Sequence, residues 1–200
     1  GEAACVSLHG ANRLGSNSAA ECLVWGKITG KESADYAMKT NSFPAVSEGK
    51  IEEERQRVFE GLLKKDGREN PYQIKRELRE VMDRHVGVFR TGEDLRTGLA
   101  RVKELKERFK RIYVKDKSVR YNSNLVHVLE LENLLDLAEV LVTGALTREE
   151  SRGGHARRDF AKRDDEKWLK HTLAFWTPEG PRLDYSKVTI NMWTPVERKY

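Results

Sequence analysis

The chain has 200 residues, 38% hydrophobic and 34% charged, and its 37 Lys and Arg against 32 Asp and Glu give a formal net charge of +5. With a mean hydropathy of −0.71 it is polar for a self-sufficient globule yet too rich in aliphatic and aromatic residues for disorder, so it builds a modest core or docks onto another domain. Two cysteines, Cys5 and Cys22, exclude a disulfide framework and fit a reducing compartment, and a weak basic excess of mixed sign gives no reason to expect nucleic acid.

Residues 1–18 are rich in Gly, Ser, Asn and Ala and read as strand end and loop. Within them, His9-Gly10-Ala11-Asn12-Arg13-Leu14-Gly15-Ser16-Asn17-Ser18 sets a guanidinium between two glycines directly before a helix. A helix end there presents unsatisfied N–H groups and about half a positive charge, which suits an anionic or polar ligand group. Gly10 and Gly15 allow sharp turns or close backbone approach. Arg13 is a planar fork for a carboxylate, and Glu2 can accept two hydroxyl hydrogen bonds. On spacing alone, a capped helix behind an ordinary loop, with Arg13 on the surface, accounts for the segment equally well. The helix is expected over about 18–39, with Ser16, Asn17 and Ser18 as N-cap candidates. Gly26 and Gly30 would permit close packing along it. Residues 41–48, with Pro44, read as a linker.

Beyond the linker the composition turns helical and charged. Ile51, Val58, Leu62 and Leu63 mark an amphipathic helix over about 49–66, stopped by Asp66-Gly67. Asn70-Pro71 opens the next, with a stripe of Ile74, Leu78, Val81, Met82 and His85. Thr91 caps a third, with Leu95, Leu99, Val102, Leu105, Phe109 and Ile112 on its apolar face. These three are expected to form a small antiparallel bundle. After an irregular stretch over 113–123, a long helix over about 124–150 carries Leu125, Val128, Leu131, Leu135, Ala138, Leu141, Val142 and Leu146. That density predicts contact on two sides. In the tail, His171–Trp176 and Val188–Trp193 read as strands joined by the Thr177–Pro181 turn. No apolar run reaches the roughly 18–20 residues of a membrane span, and no signal peptide is visible.

Other chemistries are weakly supported. The five histidines have no metal-ligand spacing and no C-x-x-C occurs. His85 reads as a core or interface histidine, and Cys5 as a small buried residue. Ser16 lacks the Gly-x-Ser-x-Gly elbow of a hydrolase. The basic run from Arg101 to Lys117 is interleaved with Glu104, Glu107 and Asp116. It reads as a solvated helix face or a docking surface for an acidic partner, and no nucleic-acid partner is expected.

Gly1-Glu2 and the uninterrupted His9–Ser18 run together resemble the flavin and substrate motif of the succinate dehydrogenase/fumarate reductase flavoprotein subunit. Far downstream, Arg148–Arg157, Arg163-Asp164-Asp165, Trp168–Leu173 and the ending Pro195–Tyr200 resemble the C-terminal domain of the same family. The two ordered matches span essentially the whole chain. Ala19-Ala20 depart from the family, where a leucine pair is usual. L-aspartate oxidase carries a similar first motif and a similar Glu-Ser-Arg-Gly segment, but the Asp164–Leu173 run and the Glu197–Tyr200 ending favour the dehydrogenase/reductase branch. Adenylylsulfate reductase is similar at a greater distance.

The resemblance implies a mixed α/β fragment, mainly α. Residues 1–40 would end an FAD-binding domain, and 49–200 would be the flavoprotein C-terminal domain, with a helical bundle over 49–150 and a β-containing tail over 151–200. It implies that Glu2 binds the ribityl part of FAD, that Ser18 and Ala19 contact flavin through backbone, and that Arg13 grips a carboxylate of succinate or fumarate. No Gly-x-Gly-x-x-Gly loop is present to hold the ADP half of FAD. The proton-donor arginine and the flavin and substrate histidines of the family are expected upstream, so no catalytic residue is assigned on this chain. The implied partners are a dicarboxylate substrate, an iron–sulfur subunit that receives electrons, and indirectly a membrane anchor. The implied place is the cytoplasmic face of the cell membrane, or the matrix side of the mitochondrial inner membrane. The alternatives are an L-aspartate oxidase-type flavoenzyme and a non-catalytic helical interaction module.

Overall fold

The computed structural model describes residues 7–11, 13, 15–40 and 42–196. Its elements, in chain order, are α1 (Asn17–Lys39), α2 (Glu48–Arg55), α3 (Pro71–His85), β1 (Phe89–Arg90), α4 (Gly92–Phe109), α5 (Ser123–Thr147), β2 (Ala156–Arg157), α6 (Asp165–Trp168), β3 (Lys170–Phe175) and β4 (Arg182–Lys187). The architecture is mainly helical with two small two-stranded sheets.

The core is where α3, α4 and α5 meet. Each starts on a side-chain cap read from its own sequence. Asn70 accepts from the Tyr72 N–H with Pro71 in the first turn, Thr91 accepts from Asp94 N–H, and Asn122 accepts from Leu125 N–H. Ile74, Leu78 and Val81 of α3 face Leu95, Val102, Leu105 and Phe109 of α4. Leu125, Val128, Leu131, Leu135, Ala138 and Val142 of α5 close the cluster. On α4, Gly98 is buried and Leu99 is only half-buried at the rim. A Cβ at Gly98 would stand 3.1 Å from Val86 Cγ2, so the helix comes close to the end of α3 at this point.

The third helix of the bundle is therefore α5, not the segment over 49–66. That segment is α2 followed by a π-helical stretch, Gln56–Leu62, and α2 buries no residue. Its Glu52-Glu53-Glu54-Arg55 run keeps it in water, Ile51 is exposed, and only Val58, Phe59, Leu62 and Leu63 reach the core. On α5 the expected contact on two sides is replaced by one buried face, because Leu134, Leu137 and Leu141 are exposed.

The link after α2 is stitched to the link after α4. Gly67 N donates to Ile112 O at 3.0 Å and Glu69 N to Arg111 O at 3.0 Å, while Val114 N donates back to Lys65 O at 3.0 Å. The approach is so close that a Cβ on Gly67 would lie 1.9 Å from Arg111 O, so the position admits only glycine.

The tail folds back on the bundle. β3 and β4 form an antiparallel hairpin with Phe175 opposite Arg182 and Lys170 opposite Lys187. The second strand is thus Arg182–Lys187 and not Val188–Trp193. A short connection forces the residues directly after the turn to pair, whatever the propensity of those further on. β1 and β2 pair in parallel, Phe89 with Ala156 and Arg90 with Arg157, and pin the tail beside the start of α4.

α1 forms as expected, but Gly26 and Gly30 face open space among the described residues. Leu23, Val24, Ile28, Tyr36 and Met38 are exposed along it. No helix among the described residues is long and apolar enough to cross a membrane.

Candidate functional site

The N-terminal motif is a chain of turns leading into α1. Ser7, Gly10 and Ser16 have φ of 60°, 61° and 65°, and Gly10 N donates to Ser7 O at 3.3 Å. Ser16 stands at the N-cap of α1 but makes no side-chain cap bond, and Ala19 N reaches its carbonyl at 3.1 Å instead. The hydroxyl cap expected from sequence is absent because the left-handed backbone at Ser16 is not the extended one that capping requires. Arg13 is exposed beside this junction, Ser18 is half-exposed and Ala19 exposed in the first turn of α1. Glu2 and Cys5 lie outside the described residues, and Cys22 is an exposed free thiol.

His9 is fixed in a way the sequence did not signal. Its Nε2 lies 2.7 Å from Oε2 of Glu21, whose side chain is buried at the second turn of α1. The pair ties the motif's first residue to the helix that follows it.

The downstream motif, Arg148–Arg157, is organised by a fully buried carboxylate. Glu150 Oε1 accepts from Arg148 Nη1 at 2.6 Å and from Arg152 Nε at 2.8 Å. Its Oε2 accepts from Arg152 Nη2 and from Asp164 N, both at 3.0 Å. Burial works to raise the Glu150 pKa, but the Arg152, Asp164 and Arg148 donors outweigh it and hold the group below the usual carboxylate range. Arg152 reaches on to Asp165 at 2.6 Å, and Arg163 pairs with the same carboxylate at 2.7 Å. The aspartate pair of the second signature thus serves to hold the turn.

His155 accepts from Arg90 Nη1 at Nδ1 (2.8 Å), so its Nε2 carries the proton and donates to Arg148 O (3.0 Å). Burial, with Arg90, Arg157 and Arg148 nearby, lowers its pKa against the single opposing bond to Arg148 O and keeps the ring neutral. His155 ties β1 and the end of α5 to the tail. His85 Nδ1 has no hydrogen-bond partner among the described residues and stands 3.6 Å from Asp94 Oδ1. The basic run is not an open cationic face either. Arg108 pairs with Glu69 and Glu77, Lys106 with Asp136 and Glu139, and Arg101 with Glu104. Among the described residues no group of three His, Cys, Asp or Glu could hold a metal.

The two signatures, about 140 residues apart in sequence, meet. Gly154 N donates to Ala11 O at 3.1 Å. Gly153, at φ +58°, turns its Cα hydrogens onto Ala11. Around this contact lies a cavity of about 830 Å³, shared by Ser7, Gly10 and Ala11 on one side and Arg148, Arg152 and His171 on the other.

Comparison with known proteins matches both halves. Residues 75–200 match the family described as fumarate reductase flavoprotein C-term. The fumarate reductase flavoprotein subunit of Haemophilus influenzae is 40% identical over 204 residues, which are all of this chain and 34% of that protein. The succinate dehydrogenase flavoprotein subunit of Rickettsia conorii is 40% identical over 208 residues, all of this chain and 35% of that protein. A chain of E. coli quinol fumarate reductase superposes with a TM-score of 0.88 at 39% identity, covering 95% of this chain and 33% of that one. The chain spans about a third of the length of these relatives.

Proposed function

Because the chain belongs to the fumarate reductase/succinate dehydrogenase flavoprotein family, we propose that it forms part of an FAD-dependent dicarboxylate oxidoreductase, with Arg13 as a substrate ligand. The observation that carries this reading is the contact of Ala11 with Gly153-Gly154, which joins the two signature segments beside the exposed Arg13.

The residues present fit one half of the cofactor. α1 opens with no side-chain cap from Ser16, so its first turn, apart from Ala19 N, which donates to Ser16 O, would offer backbone donors and a partial positive charge to an electron-rich group. Ser18 and Ala19, in that turn, are the backbone positions assigned to flavin. Their side chains are small, so Ala19-Ala20 in place of a leucine pair leaves those backbone contacts possible. Glu2 is assigned to the hydroxyls of the ribityl chain. The ADP half has no Gly-x-Gly-x-x-Gly loop in these 200 residues. Bound flavin would supply the two-electron acceptor or donor for the dicarboxylate.

Arg13 orients the dicarboxylate through two parallel charge-assisted hydrogen bonds and offsets charge that develops on it. No proton donor is assigned among these residues. Electrons are proposed to leave through an iron–sulfur subunit of a membrane-associated complex, and this chain would sit peripherally in it.

The test uses the complete subunit. Arg13→Lys is expected to leave the flavin-to-protein ratio near wild type while steady-state fumarate reduction falls about a hundred- to a thousandfold. Arg13→Ala falls further. Glu2→Gln shows the opposite order, with flavin occupancy dropping first. Near-normal kcat/KM in Arg13→Ala, or flavin loss equal to that of Glu2→Gln, would overturn the substrate role.

A further inference from the structure

The loop that carries Arg13 is held from two sides. On the α1 side, the buried carboxylate of Glu21 holds His9 Nε2 at 2.7 Å. On the tail side, Gly154 N donates to Ala11 O at 3.1 Å. Gly153 lies flat against the same residue: a Cβ there would stand 2.4 Å from Ala11 O and 2.6 Å from its carbonyl carbon. His9 is four residues before Arg13 and Ala11 two.

The tail side is the stiff partner of this contact. Arg152 and His155 exchange backbone hydrogen bonds at 2.9 and 3.0 Å across the Gly153-Gly154 turn. Arg152 is held in turn by Glu150 and Asp165. On the Ala11 side, Gly10 and Ala11 are small and exposed. A push at Gly153 therefore moves Ala11 and leaves the turn in place.

We infer that the Gly153-Gly154 turn and Glu21 are positioning elements for the Arg13 guanidinium, so that the C-terminal domain, acting through Ala11, sets where the substrate carboxylate is gripped. This rests on Arg13 being a carboxylate ligand. Neither Gly153 nor Glu21 touches substrate in this scheme. Their effect comes from orientation, where a displacement of about 1 Å is enough to cost about a hundredfold.

The experiment is a set of double-mutant cycles in the complete subunit. Gly153→Ala, Glu21→Leu and Glu21→Gln are made alone and in an Arg13→Ala background. Steady-state fumarate reduction and the flavin-to-protein ratio are measured for each. Gly153→Ala and Glu21→Leu are expected to lower kcat/KM about ten- to a hundredfold with flavin content unchanged. Glu21→Gln keeps an acceptor for His9 and restores most of the rate. In the Arg13→Ala background Gly153→Ala and Glu21→Leu cost little further, since no guanidinium remains to be misplaced. Losses of equal size in both backgrounds, or losses that follow flavin content, would overturn the inference. So would wild-type rates for Gly153→Ala and Glu21→Leu beside a defective Arg13→Ala, which leaves the reading of Arg13 standing. A normal rate in Arg13→Ala alone overturns that reading and this inference together. If Gly153→Ala does not fold, the Glu21 variants decide by the same criteria.

Discussion

Glu139 is buried on α5, and its carboxylate meets Lys106 Nζ of α4 at 2.6 Å, with Asp136 Oδ1 on the same ammonium at 2.8 Å. Lys103 is 4.0 Å from Glu139 and largely exposed. Burial alone would lower the Lys106 pKa, but the hydrogen bonds to Asp136 and Glu139 outweigh it and raise the value. Lys106 is therefore the main donor to the buried Glu139 carboxylate inside the α4–α5 seam. Lys106→Met is expected to cost about 1–3 kcal/mol in urea or thermal unfolding, since the buried carboxylate loses its main donor. Lys106→Asp costs more, while Lys103→Met stays within about ±0.5 kcal/mol. The sign with pH follows from the raised value: the stabilisation is complete below the unfolded lysine pKa of about 10.4 and is lost as pH rises through the folded one. A Lys106→Met protein as stable as wild type at neutral pH would show that Glu139 is satisfied without it. The sequence reads Lys106 as solvated because Lys and Glu alternate around it. Which of these charges faces the facing helix is a tertiary fact, invisible in the spacing of α4 alone.

Helix ends illustrate the same division between local and distant causes. The caps at Asn70, Thr91 and Asn122 are legible because a cap and its helix are adjacent in sequence. The C-terminal end of α5 is closed from the tail, which also reaches the start of α4. Arg157, itself buried, donates through Nη1 to the carbonyls of Ala145 and Leu146 at 3.0 Å and of Arg148 at 3.2 Å, at the C-terminal end of α5. Its Nε and Nη2 clasp Asp159 at 2.8 Å each, and Asp159 Oδ2 accepts from Gly92 N at 2.8 Å, at the start of α4. A cation thus sits at one helix C-terminus and an anion at another's N-terminus, the favourable arrangement for both dipoles. The Arg157 and Gly92 donors, against a smaller opposing effect of burial, hold the Asp159 carboxyl far below the usual range. Arg157→Met is expected to cost about 3–5 kcal/mol, because it strands buried carbonyls and a carboxylate at once. Asp159→Asn costs about 1–2 kcal/mol, as for a lost cap. For a depressed carboxyl the stabilisation is present above about pH 3.9 and lost as pH falls through the folded value. The wild type should therefore lose stability on acidification below that point, and Asp159→Asn should lose less of it. Equal acid sensitivity in the two proteins would exclude the clamp. Nothing near Asp159 in the sequence names its distant partner, Gly92. The short β1–β2 pairing and the true position of β4 escape the sequence for the same reason. Strand identity there is decided by what lies opposite, and Arg182–Lys187 has only Leu183 and Tyr185 to mark its inward face. The candidate site divides likewise: Arg13, Ser18 and Ala19 are proposed from the resemblance carried by the His9–Ser18 run, whereas the Ala11–Gly154 and His9–Glu21 contacts needed the fold.

Across the whole molecule the packed core and the apolar surface lie in different places. The core runs from Leu62 to Ala145, and α3, α4 and α5 supply most of it. α1, which opens at the candidate flavin and substrate junction, leaves Leu23, Val24, Ile28, Tyr36 and Met38 exposed and buries only Glu21. The bundle is thus able to fold on its own contacts, whereas the site-bearing helix has no comparable packing of its own. Binding of a molecule as large as FAD needs both of its halves gripped, and only the flavin-side candidates are on this chain. The purified 200-residue chain is therefore expected to unfold cooperatively through its bundle and yet to elute from gel filtration without flavin absorbance, even after incubation with excess FAD. Co-elution of flavin at about micromolar affinity or tighter would mean that the loop before α1 holds the cofactor without a dinucleotide-binding loop. The division of roles proposed for Glu2, Ser18 and Ala19 would then have to be redrawn. An intermediate pattern is distinguishable as well. If the chain binds free dicarboxylate at millimolar levels but not FAD, and Arg13→Ala abolishes that binding, then the carboxylate grip is local to the Arg13 loop and its two anchors, independent of the flavin.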